Sequence, residues 1–261
     1  MSGSIDPAGV AAAAQSFARR AAAACINKAR ISAPERPVEN PLPLCYAFSG
    51  SRGTSKSVAA RILARTLKSA SILERGRIVS LRKDDGEGGR LGELLSGARG
   101  GILMVEDAVD FLGEGAEALG SIFEFIDSSE EGLCVIFSGS PSGMGRFIGG
   151  CPEAARRVSC MVEFEDYTAA NLMELLKKRA ARELLELDGG YLEAAGRLFE
   201  RWIASKAEDF GNAHIIRTLL KDSNVRRVKR LSAICEGGGA IAPEDMPLAR
   251  QDLGELLLEI S

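Results

Sequence analysis

Between Leu44 and Leu67 the chain reads as a strand, a glycine-rich loop and a helix, and no other stretch restricts the fold as tightly. Leu44-Cys45-Tyr46-Ala47-Phe48 is an apolar run. Gly50-Ser51-Arg52-Gly53-Thr54-Ser55-Lys56-Ser57 follows it, and helical spacing runs from Val58 to Leu67. The eight loop residues fit the phosphate-binding pattern G-x-x-x-x-G-K-[ST] with one fault: Ser55 stands where the last glycine belongs. In such a loop Gly50 and Gly53 let backbone N–H groups turn inward into an anion nest at a helix N-terminus. Lys56 reaches the β- and γ-phosphates, Ser57 holds magnesium, and the contact set runs from Gly50 to Val58. The plainer reading is a Gly/Ser turn before a helix.

Further along, short apolar runs alternate with helical patterns. They are Leu44–Phe48, Arg77–Leu81, Ile102–Val105, Leu133–Phe137 and Cys160–Phe164. Near-continuous apolar strands separated by helices predict an α/β fold with a five-stranded parallel sheet covered on both faces. Gly-rich Asp84–Gly92 reads as a loop. After Thr168 the strand signal stops, and helical spacing covers Ala169–Leu187, Tyr191–Lys206, Asn212–Leu231 and a short Leu248–Ile260. The expected organisation is an N-terminal helix with a Pro-rich linker (1–40), a phosphate-loop core (41–167) and a small all-helical domain (168–261), with Thr168 capping the first helix of the last. Residues 1–30, rich in Ala, Ser and Arg, read as a helix from about Gly9 to Arg30 or as an organelle transit peptide.

Composition sets limits on the function. Net charge is −3, so there is no basic field for holding nucleic acid. The run Arg226-Arg227-Val228-Lys229-Arg230 reads as a solvated helix face. No apolar run approaches the roughly 18 residues of a membrane span. The six cysteines include no C-x-x-C pair and the only histidine is His214, which argues against a metal cage. Cys45 and Cys134 fall within apolar strands, which points to a reducing compartment: cytoplasm, stroma or matrix.

The second chemical site is Gly100-Gly101-Ile102-Leu103-Met104-Val105-Glu106-Asp107. Apolar residues ending in two carboxylates resemble a Walker B strand, in which one acid orients magnesium and the next activates water. The usual order is Asp then Glu, and here it is Glu106 then Asp107. The exchange lengthens one arm by a methylene and shortens the other, and a misplacement of about 1 Å can cost on the order of a hundredfold in rate. A shifted register would make Asp107 the magnesium acid and leave Ala108 at the base position.

Taken together, these motifs resemble the AAA+ ATPases, and more closely the branch of red-type rubisco activase (CbbX) and stage V sporulation protein K. The likeness spans about residues 40–250. It rests on the Gly50–Ser57 loop followed by Val58–Ala64, the Gly-Gly entry to the Walker B strand, Ser138-Gly139-Ser140-Pro141 with Met144–Phe147, Phe164–Thr168 and Phe210-Gly211-Asn212-Ala213. The resemblance implies a Rossmann-like core, a helical lid, ATP and magnesium held between them, and assembly into a homo- or hetero-oligomeric ring. It also implies that Arg157 reaches a neighbouring subunit's nucleotide. Against this, Arg156 and Arg157 also read as solvated charges. The departures have a pattern of their own. His214 stands where the branch has its sensor-2 arginine, although it reads equally as a packed lid residue. Ala155 replaces another arginine, and Ser138 replaces a water-positioning asparagine. No Phe, Tyr or Trp lies between Val79 and Val109, where family members present an aromatic to a peptide. The expectation is therefore a nucleotide-binding AAA+ subunit with weakened hydrolysis. The alternatives are a fully active remodelling ATPase and a nucleotide-free scaffold.

Overall fold

The computed structural model describes residues 44–86, 90–129, 132–205 and 211–254. The N-terminal helix or transit peptide, the Pro-rich linker and Phe210 lie outside the described residues. The described chain falls into two compact units. The second comprises Arg52–Thr54 together with the chain from Asp166 onward, and the first holds the remainder.

The first unit is an α/β sandwich. Its strands are β1 (Leu44–Gly50), β2 (Ile78–Leu81), β3 (Ile102–Val105), β4 (Cys134–Gly139) and β5 (Cys160–Phe164). They form one parallel sheet in the order β2-β3-β4-β1-β5. Helix α1 (Lys56–Ser69) follows β1, and α2 (Arg90–Ala98), α3 (Ala116–Asp127), α4 (Pro141–Gly150) and α5 (Pro152–Arg157) fill the later connections. The two-residue period of the strands divides the core between the faces. Leu44, Tyr46, Phe48, Ile102, Met104, Cys134 and Ile136 pack against Ala59, Ala60, Leu63, Ala64 and Leu67 of α1. Cys45, Ala47, Leu103, Val105, Val135 and Phe137 face α2 to α5. There Phe137 lies 5.1 Å from Phe147 and 6.3 Å from Phe123, ring centre to ring centre. Burial pushes the Cys45 thiol up to about 11, opposed by the charge of Arg157.

The second unit is helical: α6 (Ala169–Arg182), α7 (Gly189–Ala204) and α8 (Ala213–Glu236). Thr168 caps α6 as its position predicts: its hydroxyl accepts from Asn171 N, and the Asn171 side chain accepts from Thr168 N. Asp188 caps α7. Tyr191, fully buried, donates to Ser223 of α8 at 2.9 Å, and burial pushes its phenol up to about 12. Arg230 of α8 binds the chain beyond it, donating to Asp252 in two bonds and to the carbonyls of Asp245 and Pro247.

Two expectations of local structure differ from what forms. The segment read as a loop from Asp84 opens as a single 3-10 turn, Lys83–Gly86, and α2 begins at Arg90. Asp85 explains the turn: its carboxylate accepts from Arg82 N and pairs with Arg90. The helix expected from Leu248 is a 3-10 turn over residues 250–254, and the rest of it lies outside the described residues. Asp252 tightens that turn by accepting from Ala249 N while it holds Arg230.

Candidate functional site

All five strands run parallel, so the ends of β1, β3 and β4 share one edge of the sheet. Between β1 and β4 the strand order reverses, which is where open α/β sheets bind ligands. The loop Gly50–Ser57 leaves β1 at this edge. Glu106 and Asp107 leave β3, one strand further on.

Within the loop, Ser55 occupies the left-handed region at φ 70°, ψ 20°. The motif's glycine is suited to that conformation, and a Cβ there costs about 1 kcal/mol. Ser55 is the N-cap of α1 but supplies no side-chain cap, and the first turn has no acidic residue. The positive end of a 14-residue helix is thus left without an anionic partner from its own turn. Lys56, the first helical residue, folds back so that its ammonium donates to the carbonyls of Gly50 (2.6 Å) and Ser51 (2.8 Å). The donor set suits a polyphosphate: a helix start without a side-chain cap, and beside it an ammonium that donates to neutral carbonyls. Ser57 is exposed beside it, and Val58 is 41% exposed.

The paired carboxylates are arranged differently from each other. Glu106 accepts from Arg82, just past β2, at 2.8 Å, and the Glu106 side chain is only 20% exposed. That hydrogen bond, and then the charge, push the Arg82 pKa further up. Asp107 is exposed and left-handed at φ 49°. It starts a short 3-10 turn without lending its side chain to it. Ser138 is buried within β4, and its hydroxyl donates sideways to Val105 O at 3.2 Å. Among the described residues, no three His, Cys, Asp or Glu come together as a metal cage.

Arg157 closes α5 in a crowded setting. It donates to both oxygens of Asp127 at 2.8 and 2.9 Å and to Glu153 at 2.7 Å, and its guanidinium lies 5.4 Å from the centre of the Phe123 ring. Arg156 beside it is exposed. In the second unit His214 is exposed on the first turn of α8. Just before it, Asn212 is fully buried. Its amide donates to the carbonyl of Arg52 and to Asp166, and its carbonyl accepts from Tyr167 N. Sequence reasoning gave no role to Arg82 or to the Asn212 side chain.

Residues 168–257 match the AAA lid domain family. The chain is similar to the chloroplastic ribulose bisphosphate carboxylase/oxygenase activase of Cyanidioschyzon merolae, with 27% identity over 208 residues, 73% of this chain and 69% of that protein. It is similar to protein CfxQ of Xanthobacter flavus, with 29% identity over 75% of this chain and 64% of the relative. It is also similar to the plasmid-encoded CbxX of Cupriavidus necator, with 26% identity over 82% of this chain and 70% of the relative. Among solved structures, the Holliday junction branch migration motor RuvB of Thermotoga maritima superposes with a TM-score of 0.55 at 15% identity, covering 94% of this chain and 68% of that one. The AAA domain of FIGL-1 in complex with ADP gives 0.56 at 15% identity, covering 84% and 72%.

Proposed function

On the premise that this chain has the AAA+ ATPase fold, carries an AAA lid and is similar to the CfxQ, CbxX and rubisco activase proteins, we propose that it binds ATP with magnesium at Gly50–Ser57 and acts as a ring subunit with weakened hydrolysis. One observation carries the binding part: Lys56 stands at the start of a helix that has neither a side-chain cap nor an acid in its first turn. The backbone of Gly50–Ser57 and the Lys56 ammonium hold the phosphates, with Lys56 exchanging two carbonyl partners for anionic oxygens. Ser57 and Glu106 are the magnesium contacts, and His214 takes the sensor position. When bound, ATP supplies the phosphoanhydride bond whose cleavage drives remodelling in an active ring. The chain's own residues serve that cleavage poorly. Glu106 is held by Arg82, Asp107 is short and turned into a left-handed bend, and the Ser138 hydroxyl is spent on Val105. The ring partners are copies of this chain or an active relative, the client is a protein, and the compartment is a reducing one.

Calorimetry with a non-hydrolysable ATP analogue and magnesium tests the proposal. Heat of binding is expected from the wild type and none from Lys56→Ala. Absence of heat from the wild type would instead make the chain a nucleotide-free scaffold.

A second reading, a fully active ATPase, is favoured by the exposure of Arg82, whose side chain is 69% exposed. An ion pair so solvated is worth about 0–1 kcal/mol and yields easily to a bound ligand. Turnover separates the two. Weakened catalysis predicts well under about 1 per second, a modest enzyme rate, with a rise in Arg82→Ala as Glu106 is released. A brisk wild-type rate that Arg82→Ala leaves unchanged supports the active reading.

A further inference from the structure

Asn212 places its side chain where three segments of the second unit meet, and it is fully buried. Its amide donates to Arg52 O at 3.1 Å and to the Asp166 carboxylate at 2.9 Å. Its carbonyl oxygen accepts from Tyr167 N at 2.9 Å. The backbone beside it makes a parallel contact: Ala213 N donates to Gly53 O at 3.3 Å. Gly53, at φ 79°, is pressed so closely on the Gly211 carbonyl that a Cβ would collide with it. Asn212 itself adopts φ 44°, ψ −123°, a backbone conformation that non-glycine residues rarely hold. A carboxamide is the side chain that offers two donors and an acceptor at this reach. Aspartate has the shape without the donors.

From this arrangement we infer that Asn212 is a positioning residue for the tip of the phosphate loop, an inference that rests on the reading of Gly50–Ser57 as a nucleotide site. In a planar trans peptide the C=O and the next N–H point in opposite directions. The Arg52 carbonyl is fixed by the Asn212 amide and the Gly53 carbonyl by Ala213 N. The N–H groups of Gly53 and Thr54 are thereby turned away from the Gly211–Ala213 bend. An anion nest needs this ordering of successive amides, and a loop without it would have to be organised by the ligand at the expense of affinity.

Two variants test the inference. Asn212→Asp keeps the shape and the acceptor for Tyr167 N, loses both donors and sets a carboxylate against Asp166. Asn212→Gly removes the side chain at a backbone position that suits glycine. Hydrogen exchange on the free protein should show the amides at 52–54 exchanging about tenfold faster in both, the factor carried by one lost hydrogen bond of ordinary strength, while amides of α7 keep their wild-type rates. Affinity for a non-hydrolysable ATP analogue with magnesium should fall by a similar factor. Unchanged exchange at 52–54 overturns the inference. So does a loosened loop with undiminished affinity, and so does a loss of α7 protection in both variants, which would mark a general structural role. If the wild type binds no nucleotide, the proposed function fails, and the exchange data alone still decide whether Asn212 orders the loop.

Discussion

Ser55 holds a left-handed conformation inside the loop on which the proposed function depends. Its hydroxymethyl group adds backbone strain without supplying a cap in return. Ser55→Gly should therefore stabilise the folded chain by up to about 1 kcal/mol, since relief of the left-handed Cβ outweighs the extra freedom glycine gives the unfolded chain. Denaturant unfolding measures it, and a loss of stability would mean that the hydroxyl makes a contact worth more than the strain. The fault in the motif could be read from the sequence, and so could the inverted order of Glu106 and Asp107. The side-chain partners could not. Arg82 lies 24 residues from Glu106, and Arg52 lies 160 residues from Asn212. Such pairs are created by strand order and by the turn at Gly211, and local spacing carries no trace of either.

At the level of elements, α3 and α5 are tied together by Arg157, which joins Asp127 to Glu153 and covers Phe123. The carboxylates are 59% and 44% exposed, so the ion pairs are weak singly. With the ring contact, Arg157→Ala should cost on the order of 1–2 kcal/mol in the isolated chain. A thermal melt reads this directly. An unchanged melt, together with lost stimulation of an active neighbouring subunit in a mixed ring, would show that Arg157 works across the interface instead. The strands were legible because each is apolar and flanked by helical spacing. Their order was not, since each run carries the same signal. Thr168 was legible as a cap because a hydroxyl preceding a helical run has one common use. Asp84–Gly92 misled because its glycines concealed Asp85, whose carboxylate closes a turn on Arg82 and prepares the start of α2.

At the scale of the whole molecule, each unit holds, among its described residues, a buried group that resists ionisation: Cys45 in the first, pushed from 9.0 to about 11, and Tyr191 in the second, pushed from 10.0 to about 12. Both shifts are upward and both neutral forms are favoured by folding. The associated stability is therefore intact below the unfolded-state values and is lost as pH rises through the folded ones. From neutral pH, unfolding midpoints should hold up to about pH 9 and fall between about 9 and 12. Cys45→Ala should flatten the lower part of that fall and leave the part belonging to Tyr191. A pH profile equally steep in the variant would assign the alkaline loss to other groups.

Anyone trimming this polypeptide for crystallisation should look first at Arg230. A cut that removes Asp252 would leave a guanidinium, 17% exposed, without its counter-charge in the wall of the helical unit. The fragment would be expected to clump or be degraded, although everything around Lys56 would still be present.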